Sequence, residues 1–176
     1  MLYGDDPQSW TLKALREAGG SLLSELHGLD ERDLRWRPAE GEWSLKEIAA
    51  HVRDAEELAL AQVNAFVSAR TGARPGGPAR IPAWDVDLLP EERDYQREDI
   101  SALLAAFREA RREVTSLLWT LTDADWERSA EHPFRGAVTL GEIAKELAQH
   151  DLEHLWQVRR LKERLRDAAG AEEERT

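Results

Sequence analysis

The chain has 176 residues, of which 41% are hydrophobic and 34% charged, and this predicts a single soluble domain over residues 1–176 with a continuous core. Its formal net charge of −11 opposes the binding of nucleic-acid phosphates, which argues against a DNA- or RNA-binding function. The sequence has no cysteine, no signal-peptide pattern and no apolar run near the roughly 18 residues that a membrane span needs, so we expect a cytoplasmic protein without disulfides or thiolate ligands.

Hydrophobic residues recur at helical spacing in four long segments, which predicts an all-α protein. Two of these helices begin with a capping box, in which Ser44 or Thr139 is followed three residues later by a glutamate. The four segments run from about Pro7 to His27, from about Ser44 to Arg70, from about Asp99 to Leu121 and from about Thr139 to Arg166.

The first and third helices have apolar seams that contain no ionisable side chain. The arginine pairs Arg111–Arg112 and Arg159–Arg160 stand among glutamates, and we interpret both as solvated helix faces. The seams are Leu12, Leu15, Gly19, Leu22, Leu26 and Leu29 in the first helix, and Ile100, Leu103, Phe107, Ala110, Val114, Leu117 and Leu121 in the third.

The second and fourth helices carry histidines in the seams that should face the core. His51 occupies such a position in the second helix, and His150 and His154 occupy two successive positions in the fourth. Histidines four residues apart lie on one helix face, with Cβ atoms about 5–6 Å apart. A buried imidazole costs free energy unless it finds a partner, so three in one interior predict a metal ion as that partner. The seams are Ile48, His51, Ala55 and Leu58, and Leu140, Ile143, Leu147, His150, His154, Gln157 and Leu161.

Residues 71–97 are rich in proline and glycine, which predicts a long crossover between the second and third helices rather than a tight hairpin. Ile81 and Trp84 are its expected anchors. Long connections of this kind often form lids or pocket walls. At the other end of the chain, the polar segment 167–176 is expected to fray.

Three neutral imidazoles suit first-row divalent ions such as Zn²⁺, Ni²⁺, Fe²⁺ and Co²⁺, and three protein ligands leave open coordination positions, as in catalytic sites. The spacing alone is weak evidence, because histidine pairs four residues apart also occur on exposed helix faces, and a histidine cluster can be hydrogen-bonded without a metal. Asp151 stands where a zincin has its glutamate, so that motif is absent. Asp54 and Glu57 follow His51 by about one and two turns, and they are either supporting groups of the metal site or solvent-facing side chains.

The remaining histidines and most tryptophans have simpler explanations. His27 ends the first helix, where the helix dipole favours a cation, and His132 lies in a loop before a proline, so neither is predicted to be a ligand. Core packing and loop anchoring account for most of the seven tryptophans. One or two of them, above all Trp43 or Trp156, are expected to line a pocket beside the metal as well.

One segment and one histidine pair resemble the DinB/YfiT-like superfamily. The segment from Trp36 to His51 reads WRPAEGEWSLKEIAAH, and in that family a W-x-P-x-x-x-x-W-S stretch leads into the second helix and ends on the first metal histidine. The pair formed by His150 and His154 matches the HxxxH of the family's fourth helix. The resemblance covers nearly the whole chain, including the long crossover.

This resemblance implies a four-helix bundle, commonly a homodimer, in which His51, His150 and His154 hold a divalent metal. Zn²⁺ or Ni²⁺ is the expected ion. Related proteins include bacillithiol and mycothiol S-transferases and a mycothiol-dependent maleylpyruvate isomerase, in which the metal activates the thiol of a low-molecular-weight cofactor. Other members are described as metal-dependent hydrolases or damage-inducible proteins.

Three functions fit these residues. The first is the transfer of a low-molecular-weight thiol to an electrophilic small molecule, which needs no cysteine because the sulfur arrives with the cosubstrate. The second is metal-dependent hydrolysis, which needs a general base near the metal. The third is a non-catalytic, metal- or ligand-binding stress-response protein. We expect a small-molecule substrate as the partner, rather than a nucleic acid or a membrane.

Overall fold

The structure, a computed structural model, describes residues 6–71, 79–84 and 93–173. These residues form six α-helices, a 3-10 turn at Tyr95–Arg97 and three short strands. The four long predicted helices are present, as α1, α3, α4 and α6. The helices are α1 (Pro7–Leu26), α2 (Glu31–Arg35), α3 (Leu45–Thr71), α4 (Ile100–Trp119), α5 (Asp123–Trp126) and α6 (Leu140–Glu173).

Both predicted capping boxes form and define where α3 and α6 begin. The Ser44 N–H donates to Glu47 Oε2 at 2.8 Å, and the Glu47 N–H donates to Ser44 Oγ at 3.2 Å. The same reciprocal bonds join Thr139 and Glu142 at 2.7 and 3.1 Å. These bonds satisfy backbone donors that the first helical turn leaves unpaired, so short local motifs set the starting points of the two histidine-bearing helices.

The four long helices form the bundle. Helix α3 packs against α4 and α6, and α1 packs against the same two helices, so α1 and α3 stand at opposite corners. In a simple up-and-down bundle, consecutive long helices are neighbours, whereas here the step from α1 to α3 crosses the diagonal. This arrangement places α3 directly against α6, the helix that carries the other two histidines.

The apolar core consists of two clusters that follow one another along the bundle. The first cluster includes Leu15, Val63, Val114 and Leu147, and the strands pack onto it. The second cluster is built by the same four helices at the end where α3 begins, and it includes Leu22, Val52, Phe107, Leu155 and Val158.

A charged layer, formed by Glu56, Arg111 and Asp151, lies between the two clusters and is at most 6% exposed. Arg111 Nη1 donates to Asp151 Oδ2 and to the backbone oxygen of Leu15, each at 2.6 Å. Its Nε donates to Glu56 Oε1 at 2.9 Å, and its Nη2 bonds the other oxygen of that carboxylate. One guanidinium of α4 therefore bonds to residues of the other three long helices.

The prediction that Arg111 belongs to a solvated face was wrong. Arg111 follows Phe107 by four residues and precedes Val114 by three, so helical geometry places it on the buried side of α4. The charge is tolerated there because two carboxylates and a backbone oxygen surround it. Arg112, Arg159 and Arg160 are exposed, in agreement with the prediction.

A small three-stranded sheet adds to the helical fold and was not predicted. Strands β2 (Ser129–His132) and β3 (Gly136–Thr139) form an antiparallel hairpin, and β1 (Ala79–Arg80) pairs with β2 in parallel. Ala130 and Val138 face each other in the hairpin and are buried in the first apolar cluster. Strands of two to four residues carry too little alternation to stand out in a sequence.

The crossover and the C-terminal segment correct two further predictions. Ile81 is 3% exposed and anchors the crossover as expected, but Trp84 is 40% exposed and does not. Residues 72–78 and 85–92 of the predicted crossover lie outside the described residues.

Helix α6 does not fray at residue 167 but continues to Glu173, because residues 162–173 are mostly strong helix formers. Within the described ranges, no helix combines the length and apolarity that crossing a bilayer requires.

Candidate metal centre

Helices α3 and α6 bring the three predicted histidines together. His51 lies in the second turn of α3 and is 1% exposed. His150 and His154 lie one turn apart on α6 and are half-buried. The sequence placed all three in core seams, but the buried stripe of α6 passes instead through Asp151, Leu155 and Val158. The histidines of α6 therefore stand at the edge of the core rather than inside it.

The Nε2 atoms of the three rings point at one another. His150 Nε2 is 3.0 Å from His51 Nε2 and 3.1 Å from His154 Nε2. The ligand atoms of the group all lie within 4.8 Å of one another. Three nitrogens at this spacing can share one ion at the usual metal–nitrogen distance of about 2.0–2.1 Å.

The donor set fits a divalent cation better than a hydrogen-bonded cluster. A ring nitrogen carries either one hydrogen or one lone pair, so His150 Nε2 cannot form good bonds to both neighbours. Burial, with His154 and His51 close by, lowers the pKa of His150 to about 3, so this ring is neutral at pH 7, as a metal ligand must be. Among the described residues, Nδ1 of His150 is buried without a hydrogen-bond partner.

One hydrogen bond orients the ring of His154. Its Nδ1 lies 2.8 Å from Gln157 Oε1, and an amide oxygen can only accept, so Nδ1 carries the hydrogen. The lone pair of this imidazole is then on Nε2, the atom that faces the other two histidines. Such partners fix the tautomer and the direction of metal-binding histidines. The sequence singled out Gln157 as a seam residue, but the structure shows it exposed.

Among the described residues, no Asp or Glu oxygen belongs to the group of ligand atoms that lie within 4.8 Å of one another. Of the two candidate supporting groups, Glu57 is exposed and Asp54 is 1% exposed. Asp54 accepts a bond from Arg93 Nη1 at 2.8 Å and another from the Tyr95 hydroxyl. Burial, reinforced by Asp54, raises the pKa of Tyr95, so this hydroxyl remains a donor. The histidine cluster thus offers three ligands and leaves coordination positions open.

A cleft of about 650 Å³ opens beside His154. Trp43 and Trp156 line it, as the sequence predicted. The ring of Trp43 lies 4.8 Å from that of His51 and is nearly parallel to that of His154, at 6.4 Å between centroids. The tryptophan of the W-x-P-x-x-x-x-W-S segment therefore covers the histidines and forms a wall of the cleft at the same time.

The charged layer adjoins the histidine cluster and was not predicted from the sequence. Asp151 directly follows His150, and Glu56 follows His51 by five residues. Burial raises the pKa of Glu56 and of Asp151, and the Arg111 guanidinium opposes this rise in both. A signal was present, because each charged residue interrupts a row of apolar residues at helical spacing. The α6 row is Leu147, Asp151, Leu155 and Val158.

The chain matches a family model and is similar in sequence to two proteins of Bacillus subtilis. The model, described as the DinB superfamily, matches residues 14–158. YuaE of Bacillus subtilis (strain 168), an uncharacterized protein, is 23% identical over 176 residues, which span 89% of this chain and 100% of YuaE. YfiT of the same organism is 23% identical over 155 residues, which span 88% of this chain and 83% of YfiT.

Two solved structures have the same fold. That of YfiT, described as "a probable metal-dependent hydrolase with an unusual four-helix bundle topology", gives a TM-score of 0.73 at 23% identity, covering 90% of this chain and 87% of that one. That of the mycothiol-dependent maleylpyruvate isomerase gives 0.66 at 16% identity, covering 90% of this chain and 63% of that one. Likenesses at this level of identity establish the four-helix-bundle fold.

Proposed function

The chain belongs to the DinB superfamily, and from that premise we propose that it is a divalent-metal-dependent enzyme that transfers a low-molecular-weight thiol to an electrophilic small molecule. The observation that carries the proposal is the convergence of three imidazole Nε2 atoms, from two helices, beside a cleft that His154 lines. His51, His150 and His154 would hold the ion. Zn²⁺ or Ni²⁺ suits this set of neutral nitrogen donors.

The ion would supply one effect, a lowered pKa for a thiol that reaches it. In the overall reaction the thiol loses its proton, its sulfur bonds to the electrophilic carbon, and the leaving group departs with the electron pair of the bond that breaks. The chain has no cysteine, so the sulfur must come from a cosubstrate. This is consistent with the fold shared with a mycothiol-dependent isomerase.

The protein's own residues bind and orient the reactants. Gln157 Oε1 accepts the Nδ1 hydrogen of His154, which leaves the Nε2 lone pair of His154 directed at the other two histidines. The ring of Trp43 packs against that of His51, and Trp43 and Trp156 offer apolar surface to a substrate in the cleft. Because no carboxylate of the described residues joins the histidines, positions beside them stay available for a substrate, which favours a catalytic over a purely structural role.

Metal-dependent hydrolysis is the second candidate. YfiT, with the same fold, is described as a probable metal-dependent hydrolase. Hydrolysis needs a general base, and neither Asp54 nor Glu57 lines the cleft, whereas Glu153 does, directly before His154. Glu153 is therefore the carboxylate that this mechanism would use, although Gln149 Nε2 already donates to it at 2.8 Å.

Metal analysis of protein purified without an affinity tag tests the metal site. We expect about one Zn²⁺ or Ni²⁺ per chain, lost in His51→Ala, His150→Ala and His154→Ala while the helical circular dichroism spectrum is retained. His27→Ala is the matched control, since His27 is exposed, caps the end of α1 and is not one of the three clustered histidines. A wild type that takes up neither ion, or a triple variant that keeps full occupancy, would overturn the assignment.

Activity assays then separate the two reactions. The metal-loaded protein should accelerate the loss of a small thiol in the presence of an aryl halide electrophile, and the three alanine variants should not. Rapid hydrolysis of an activated ester without any thiol, lost in Glu153→Gln, would instead support the hydrolase.

A further inference from the structure

The cleft beside His154 runs along α6 and away from the other two histidines. One wall is the face of α6 from Glu153 to Arg164, and the other is the Gly41–Trp43 segment. A helix rises 1.5 Å per residue, so this face is about 16 Å long. The cleft can therefore hold a small molecule whose reactive end lies at His154 and whose remaining part extends along the helix.

Arg160 is the cation of this wall that has no partner. Among the described residues it makes no hydrogen bond and no ion pair, and it is exposed to the cleft. Acidic residues outnumber Lys and Arg by 35 to 24 in the whole chain, so most cations should find a carboxylate. The nearest cations on α6 do, in the pairs Arg159–Glu25, Lys162–Glu25 and Arg164–Glu42.

The rest of the lining narrows the choice of ligand. Trp43, Trp156 and Leu161 give the cleft apolar surface. Glu42 and Glu153 also line it, and their negative charges oppose a dianion such as phosphate. A guanidinium binds a carboxylate through two parallel N–H bonds, as Arg164 binds both oxygens of Glu42 at 2.5 and 3.1 Å at the far end of the cleft.

We propose that the cleft binds a small substrate with an apolar body and one carboxylate, and that Arg160 binds the carboxylate. Arg160 follows His154 by six residues, which corresponds to about 9 Å along the helix axis, so the carboxylate lies at about that distance from the reacting group. The inference rests on the proposed function and specifies its substrate class, but binding of the carboxylate does not itself require the metal.

Binding measurements with a matched acid and alcohol test this inference. The probes are 4-phenylbutyrate and 4-phenylbutanol, titrated by NMR into the zinc-loaded and the metal-free protein. The acid should bind about tenfold more tightly than the alcohol in both forms, because it gains a charge-assisted contact. Arg160→Gln should abolish the preference without changing alcohol binding, and Arg160→Lys should keep part of it, since lysine retains the charge but not the two-pronged geometry.

Arg166→Gln is the control, because it removes the same charge from an exposed position of α6 outside the cleft. The inference is overturned if the wild type binds acid and alcohol equally, or if Arg166→Gln loses the preference as fully as Arg160→Gln. It is also overturned if the preference survives in Arg160→Gln and depends on zinc, because the acid would then bind the metal directly. Failure of thiol transfer would leave the preference intact, so the two proposals can fail separately.

Discussion

Among single residues, Gln157 shows how a neighbour outside the ligand set can determine what a histidine does. Its amide oxygen accepts the Nδ1 hydrogen of His154, which leaves the Nε2 lone pair facing the other rings. Without this acceptor the ring could rotate or carry its hydrogen on Nε2, and either change would remove a ligand. Gln157 is exposed, so its effect on stability should be small.

Gln157→Met should weaken Zn²⁺ binding by about tenfold and leave the unfolding midpoint unchanged, because partners of metal-bound histidines commonly contribute this much to affinity. Competition with a chromophoric chelator measures the affinity. Gln149→Met is the matched control on α6, since Gln149 is also exposed and bonds Glu153 rather than a histidine. Equal affinities in the wild type and Gln157→Met would show that the bond has no role in metal binding.

Gly19 and Gly20 are adjacent residues of α1 with opposite surroundings. A Cβ at Gly19 would lie 2.7 Å from Arg111 Nη1, whereas nothing lies within 4 Å of a Cβ at Gly20. Arg111 cannot move away cheaply, because Asp151 and the Leu15 oxygen hold the same Nη1. Alanine favours a helix over glycine by about 1 kcal/mol, so the packing decides the sign of each substitution.

Gly20→Ala should therefore stabilise the fold by about 0.5–1 kcal/mol, and Gly19→Ala should destabilise it. Urea denaturation of both variants provides the comparison. A stabilising Gly19→Ala would mean that Arg111 has more freedom than its contacts suggest.

Among the elements, the four long helices depend on one another through the charged layer. Arg111→Met should lower the free energy of unfolding by about 3–5 kcal/mol, because it leaves Glu56 and Asp151 buried without their cation. Arg112→Met is the control: the side chain of Arg112 is 73% exposed, so a change of no more than about 0.5 kcal/mol is expected. An Arg111→Met variant as stable as the control would show that the two carboxylates are neutral in the folded protein.

The elements also show where sequence reasoning succeeds. Capping boxes and apolar periodicity are local, and they predicted the start of α3 and α6 within one residue. The predicted α6 seam was wrong between Leu147 and Leu161, although both of these residues are buried. His150 and His154 fit the helical spacing as well as Asp151 and Leu155 do, and an aspartate is not expected in a core. Only the position of Arg111 on another helix makes Asp151 a buried residue.

In the whole molecule, apolar periodicity predicted the helices, and the histidines in two of their seams predicted that three imidazoles meet. The family resemblance of the W-x-P-x-x-x-x-W-S segment and the HxxxH pair implied the bundle that brings them together. The assignment of His51, His150 and His154 as ligands remains a prediction until metal is measured. The diagonal step from α1 to α3, the sheet and the cleft depend on contacts between distant segments. Periodicity within one segment carries no information about them.

The charged layer has a consequence for how the helices slide past one another. Apolar seams can slip by one turn, about 5.4 Å, and still bury similar surface. Such a slip of α6 along α3 would move Asp151 away from Arg111 and into an apolar cluster, at the cost of burying an unpaired charge. It would also draw His150 away from His51, whose Nε2 atoms are now 3.0 Å apart. The axial alignment that satisfies the buried charges is thus the same one that assembles the three histidines.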